Sequence, residues 1–281
     1  MATSQQGATN AQGAAPAAAF PHGARLAFFG GVYSNHLALR ATLDDAVRAG
    51  AQALFCLGDL GGFGPHPARV FPILREAAIP ALRGNYDDSV GFAKGDCACG
   101  YTDPRDDHFA QVSFDYTAAN TPEEEKAWLR GLPEQMWLHV GRRRVLLCHG
   151  SPRRVNEFLW ESNSSTPFLD WLARSHGADV VLCTHTGIHW QRTLPSGRHF
   201  VNVGAIGRPA NDGRPEVWYA LGDFGDELRV EFRPVAYDHE TLAAEMRAEA
   251  LPEQFVETIL TGWWTCCLEN LPARERLRGK Y

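Results

Sequence analysis

From Arg25 onward the chain alternates short apolar runs with stretches whose apolar residues recur at helical spacing. Leu26 to Phe29 is four consecutive apolar residues closed by Gly30-Gly31, the pattern of a buried strand. Asn35 to Arg48 brings Leu37, Leu39, Leu43 and Val47 onto one apolar face, which predicts a helix. Ala53 to Leu57 reads as a second strand ending at Gly58-Asp59. Pro67 to Ala77 reads as a helix, and Ile79 to Leu82 as a third strand ending at Gly84-Asn85. Strand, helix, strand, helix, strand predicts a parallel sheet with right-handed crossovers. Ligands of such sheets bind beyond the carboxyl ends of the strands, where Gly31, Asp59 and Asn85 all fall.

Gly91 to Tyr116 has no clear period and holds Cys97-Ala98-Cys99. Thr121-Pro122-Glu123-Glu124 opens a helix, with acidic residues in the first turn. Met136 to His149 predicts a hairpin turning at Gly141, whose second strand, Val145 to Cys148, delivers His149. Val180 to Cys183 predicts a strand ending at Thr184-His185. Trp190–Leu194, His199–Val203, Val217–Leu221 and Leu228–Val235 predict consecutive antiparallel strands. Residues 239–261 predict helix interrupted near Pro252, with Cys266 and Cys267 on a helix beyond it. The division that follows is a disordered Ala/Gly-rich tail (1–24), an α/β domain (25–237) and a helical extension packed on it (238–281).

At 281 residues and 44% hydrophobic, the chain can bury a full core. A net charge of −6 with no Lys/Arg-rich run argues against nucleic acid as a partner, because phosphate-backbone binding needs clustered cations. Of the seven cysteines, Cys56, Cys148 and Cys183 end apolar runs, so they read as small buried hydrophobes of a cytoplasmic protein rather than a disulfide framework. The first 24 residues lack a basic stretch and an apolar run, so no signal peptide is read, and no segment approaches the roughly 20 apolar residues of a membrane span.

The strand ends carry Gly31-Val32-Tyr33, Gly58-Asp59, Gly84-Asn85-Tyr86-Asp87, His149-Gly150-Ser151-Pro152 and Thr184-His185-Thr186-Gly187, in that order. In order and spacing over about residues 25–235, these five motifs resemble the calcineurin-like metallophosphoesterases, whose signature runs D-x-H, G-D, G-N-H-[DE], H-G and G-H-x-H. The resemblance implies a two-sheet αββα sandwich of the metallophosphoesterase type, an α/β fold with mixed sheets flanked by helices. It also implies two divalent cations that clamp a phosphoryl group and activate water. Asp59 would bridge the two ions, and Asn85, His149 and His185 would complete one metal position. Gly31, Tyr33 and Gly187 stand where the other position needs Asp, His and His. Glycine has no ligating side chain, so one transition metal (Mn, Fe or Zn) per chain is expected. A second ion would need rebuilt ligands, for which His36, His189, Tyr33, Cys97 and Cys99 are the candidates.

On this resemblance the catalytic residues are Asp59, Asn85, Tyr86, Asp87 and His149. Tyr86 replaces a histidine that protonates the leaving group in many family members, and a phenol is a weaker acid at neutral pH. Tyr33, Arg153 and Arg208 are candidate contacts to a small-molecule phosphate ester, since guanidinium groups bind phosphate bidentately. Aromatic residues near Phe158, Trp160, Trp263 and Trp264 suggest a pocket wall. Three functions remain open: hydrolysis of a phosphate mono- or diester, non-hydrolytic metal or nucleotide binding, and a single-metal enzyme of other chemistry.

Overall fold

A computed structural model describes residues 18–277. It contains two mixed sheets packed face to face. The smaller has the order β10-β9-β2-β3, where β2 is Arg25–Phe29, β3 Ala53–Cys56, β9 Val217–Phe224 and β10 Leu228–Val235. The larger has the order β1-β4-β5-β6-β8-β7, with β1 at Ala18–Phe20, β4 at Gln135–Val140, β5 at Arg143–Cys148, β6 at Val180–Cys183, β7 at Trp190–Thr193 and β8 at His199–Asn202.

The period-2 alternation of side chains assigns each strand residue to a layer. In β2, Leu26 and Phe28 face the interior between the sheets, together with Phe55, Leu138, Leu147 and Val201. Phe28 stacks on Phe55 at 5.6 Å between centroids. Burial of each such ring contributes about 1.5–3 kcal/mol. Ala27 and Phe29 point the other way, toward α1 (His36–Arg48) and α2 (Val70–Glu76). On the outer face of the larger sheet, Leu146, Val181 and Phe200 pack on Leu169 and Leu172 of α6 (Thr166–Ser175). The layers are therefore helix, sheet, sheet, helix, as expected.

Several expectations are corrected. The stretch 1–24 is not wholly a tail, because β1 pairs in parallel with β4, Ala18 opposite Leu138; residues 1–17 lie outside the described residues. Ile79 to Leu82 forms no strand but a single bridge, Ala81 to Cys56, and Pro80 there has no N–H to give. The four late strands are not one antiparallel run. β8 pairs in parallel with β6, and the chain then crosses to the other sheet, where β9 lies antiparallel to β2. Most of the 17-residue α4 (Pro104–Asn120) lies in the aperiodic region, capped by the Asp103 side chain, which accepts from the Arg105 and Asp106 N–H groups. α3 (Asn85–Gly91) and α5 (Glu123–Gly131) flank it.

At the carboxyl end, α7 (His239–Ala248) and α8 (Glu253–Thr261) bury Leu242, Met246, Phe255 and Ile259 against Phe63 and Phe109. α8 stops at Gly262, whose φ of +75° suits glycine. Cys266 and Cys267 are consequently not helical but lie in the loop before α9 (Ala273–Arg276). That loop is tied down by buried Asp106 of α4, whose carboxylate accepts from the N–H groups of Cys267, Leu268 and Glu269 at 2.6–2.8 Å. Among the described residues no helix is long and apolar enough to cross a membrane.

Candidate metal centre

The loops after β3, β5 and β6 and the start of α3 converge at one end of the sandwich. Asp59 lies three residues past β3, His149 directly past β5, and His185 two residues past β6. One ligand-capable atom from each of the three lies within 4.8 Å of the others, and all three side chains are buried. His149 Nε2 is 3.2 Å from Asp59 Oδ2 and 3.2 Å from His185 Nδ1. The other ring nitrogen of His149 contacts the Leu57 carbonyl at 2.7 Å, which fixes the ring and directs Nε2 inward. Asp59 and His185 both adopt left-handed backbone, with φ of 56° and 71°. Non-glycine residues take this region at a cost of about 1–3 kcal/mol, typically at functional sites.

Asn85 is the first residue of α3. Its Nδ2 donates to the Cys97 carbonyl at 2.7 Å, while its Oδ1 is buried without a hydrogen-bond partner. A buried amide oxygen left unpaired is costly unless a ligand completes it. The donor set of carboxylate, amide oxygen and two imidazoles, with one oxygen orphaned, therefore fits a divalent transition metal. Burial and the neighbouring His149 push His185 down to about 3, so its imidazole is neutral and able to ligate. Burial alone would raise the Asp59 carboxyl, but the charge and hydrogen bond of His149, helped by His185 and the Tyr86 N–H, hold it below the usual range.

The remaining sequence candidates separate clearly. Asp87 does not face the pocket: its carboxylate accepts the N–H groups of Asp59, Leu60 and Gly84 at 2.8–2.9 Å, binding the two ligand loops to each other. Burial, with the Asp59 charge, pushes it up to about 6. Asp87 thus ties these loops together from outside the pocket. Arg153 is also corrected. It is exposed, paired with Glu157 and laid over the Phe168 ring, away from the pocket. Tyr86 lines the pocket, and its hydroxyl donates to Ser113 Oγ at 2.9 Å. Tyr33 and Arg208 line it too. His36 is turned toward Arg69 and Glu245, and His189 lies against Trp218 and Phe232, so neither reaches the centre. Cys97 and Cys99, candidates for a second ion, are instead joined to each other as a disulfide.

Little room lies beside Gly31 and Gly187. A Cβ on Gly31 would meet the Tyr33 ring at 2.9 Å and Ala205 Cβ at 2.8 Å. A Cβ on Gly187 would meet the Trp264 ring at 3.1 Å and Arg208 Nε at 4.0 Å. Beyond these, Phe63, Tyr101, Phe109, Phe158, Trp160 and Phe255 complete a largely aromatic wall. Phe158, Trp160 and Trp264 were legible as a wall in the sequence, whereas Trp263 packs against Gly213 instead. Tyr101, Phe109 and Phe255 carried no sequence signal, because they reach the site only through the packing of α4, the loop before it and α8.

Residues 25–227 match the family profile described as the calcineurin-like phosphoesterase superfamily domain. An uncharacterized protein of Methanocaldococcus jannaschii is 24% identical over 249 residues, covering 84% of this chain and 98% of that one. Among solved structures, a metallophosphoesterase from Sphaerobacter thermophilus superposes with a TM-score of 0.65 at 26% identity, covering 85% of this chain and 99% of its own. A hypothetical protein from Pyrococcus horikoshii superposes with a TM-score of 0.71 at 21% identity, covering 85% and 98%.

Proposed function

The chain belongs to the calcineurin-like phosphoesterase superfamily, and from that premise we propose that it is a metal-dependent hydrolase of a small phosphate mono- or diester. The observation that carries this reading is the convergence of Asp59, His149 and His185 with the orphaned Oδ1 of Asn85. These four residues would hold one divalent ion. Such an ion supplies positive charge to a phosphoryl oxygen and lowers the pKa of water toward neutrality.

The chain's own groups do the rest. His149 is held by the Leu57 carbonyl so that Nε2 stays aimed at the centre. Asp87 keeps the Asp59 and Asn85 loops in register. Tyr86 is buried, which raises its phenol pKa, so it remains protonated at neutral pH and acts as a donor rather than a base. Its hydroxyl donates to Ser113 Oγ and would turn from that bond to give a proton to a departing alkoxide. The aromatic wall excludes water and strengthens these interactions.

A second reading has its own support. Because Tyr33 and Trp264 occupy the space beside Gly31 and Gly187, the pocket could bind a phosphate ester without turning it over. Turnover of p-nitrophenyl phosphate and bis(p-nitrophenyl) phosphate separates the two readings. The proposal expects hydrolysis that is lost on chelation and lost in Asp59→Asn. No turnover by a metal-bearing protein that still binds these esters would leave the binding function instead.

A further inference from the structure

Arg208 is the cation of this pocket that no carboxylate neutralises. Among the described residues its guanidinium forms no ion pair. It lies over the Trp264 ring at 3.3 Å from the centroid and near the Phe63 ring at 5.6 Å. It is half-buried in a pocket whose wall is mainly aromatic. A guanidinium held there without a counter-ion is costly, which favours any anion that can enter. Stacking on Trp264 also fixes the plane of the guanidinium, so its N–H groups are presented in an ordered fork.

The position of Arg208 gives this charge a particular meaning. A second ion does not fit these residues. Gly31 and Gly187 offer no ligand, and the room beside them is taken by the Tyr33 and Trp264 rings. Trp264 cannot easily withdraw, since its Nε1–H donates to the Pro209 carbonyl at 2.7 Å and its backbone N–H to Asn211 Oδ1 at 2.9 Å. A side chain at 187 would start 4.0 Å from Arg208 Nε, so the guanidinium stands beside the ligand position that was lost. We propose that Arg208, stacked on Trp264, replaces the second cation: the site pairs one metal ion with one guanidinium, and Arg208 binds the phosphoryl oxygens bidentately. The inference rests on the phosphoester reading of the same pocket. It adds that a phosphate group is held by an organic cation from the loop between β8 and β9, braced by Trp264 of the C-terminal loop.

The test is calorimetric titration of inorganic phosphate into the protein as purified, with metal content measured on the same sample. The wild type should carry close to one ion per chain and bind phosphate. Arg208→Gln should keep that ion and weaken phosphate binding roughly 10- to 100-fold, the loss expected for a bidentate charge-assisted contact. Arg208→Lys, which keeps the charge without the fork or the stack, should fall between. Arg153→Gln, on the exposed surface, should bind as the wild type does. Circular dichroism and unchanged metal content establish that each variant is folded. Equal phosphate affinity in wild type and Arg208→Gln, no phosphate binding by the wild type, or two tightly held ions per chain would each overturn the inference. Arg208-dependent phosphate binding without ester turnover would sink the hydrolase reading and leave the inference standing. Turnover by the wild type with unaltered phosphate affinity in Arg208→Gln would do the reverse.

Discussion

Restoring the family residue at one vacated position should fail, and the structure says by how much. Gly187 has a φ of +76°, a region that an L residue occupies at a cost of roughly 1–2 kcal/mol. Its added Cβ would sit 3.1 Å from two atoms of the Trp264 ring. That ring is pinned at both its indole and backbone N–H groups. An imidazole beyond the Cβ overpacks the same space, at about 1–3 kcal/mol. Gly187→His should therefore destabilise the protein by about 2–5 kcal/mol and recruit no second ion. Urea denaturation gives the stability and elemental analysis the metal. Gly187→Ala isolates the backbone part and the first contact. A cycle with Trp264→Ala separates the clash from the strain: in that background the penalty of Gly187→His should shrink toward the backbone contribution alone. A Gly187→His protein within about 0.5 kcal/mol of wild type, or one holding an extra ion, would refute the claim that the position is filled.

Other consequences are testable in the same protein. His149→Ala and His185→Ala should each strip the metal, whereas His176→Ala should leave metal content unchanged, because His176 caps α6 through the Leu172 carbonyl. Asp106→Ala leaves three N–H donors of the C-terminal loop without their acceptor, and should cost at least about 2 kcal/mol in urea denaturation while loosening the Trp264 wall. The Arg233 guanidinium hydrogen-bonded to Asp45 holds that carboxyl below its ordinary value, against the opposing effect of burial. A carboxyl lowered in the folded state stabilises fully above its unfolded value of about 3.9 and loses that contribution as the pH falls through the folded one. The urea midpoints of wild type and Asp45→Asn should therefore differ at pH 7 and converge below about pH 4.

Much of the centre is legible in the sequence because it sits on strand ends. An apolar run followed by Gly-Asp, His-Gly or Thr-His announces both the strand and the polar residue it delivers, as at Asp59, His149 and His185. What the sequence hides has a physical reason in each case. α4 has no clean apolar stripe because its buried face is half polar. Ser113 Oγ accepts the Phe63 N–H and Thr117 Oγ1 the Gly62 N–H, so the helix serves the loop backbone as well as a core. Asp87 reads as a motif carboxylate, yet three backbone donors surround it, and no local pattern reveals partners 27 or 28 residues away. The chain also gives no sign that β8 and β9 belong to different sheets, since both have strand patterning and only the crossover between them decides their neighbours. Trp264 and Arg208 are 56 positions apart, and their stacking depends on how the C-terminal loop docks onto Asp106.

The most direct test of the account is a metal titration of the chelated protein, following bound metal and p-nitrophenyl phosphate turnover together. Activity should rise in proportion to the first ion and reach its plateau at close to one ion per chain, held by Asp59, Asn85, His149 and His185. A plateau reached only at two ions, or turnover that persists undiminished with no metal bound, would contradict it.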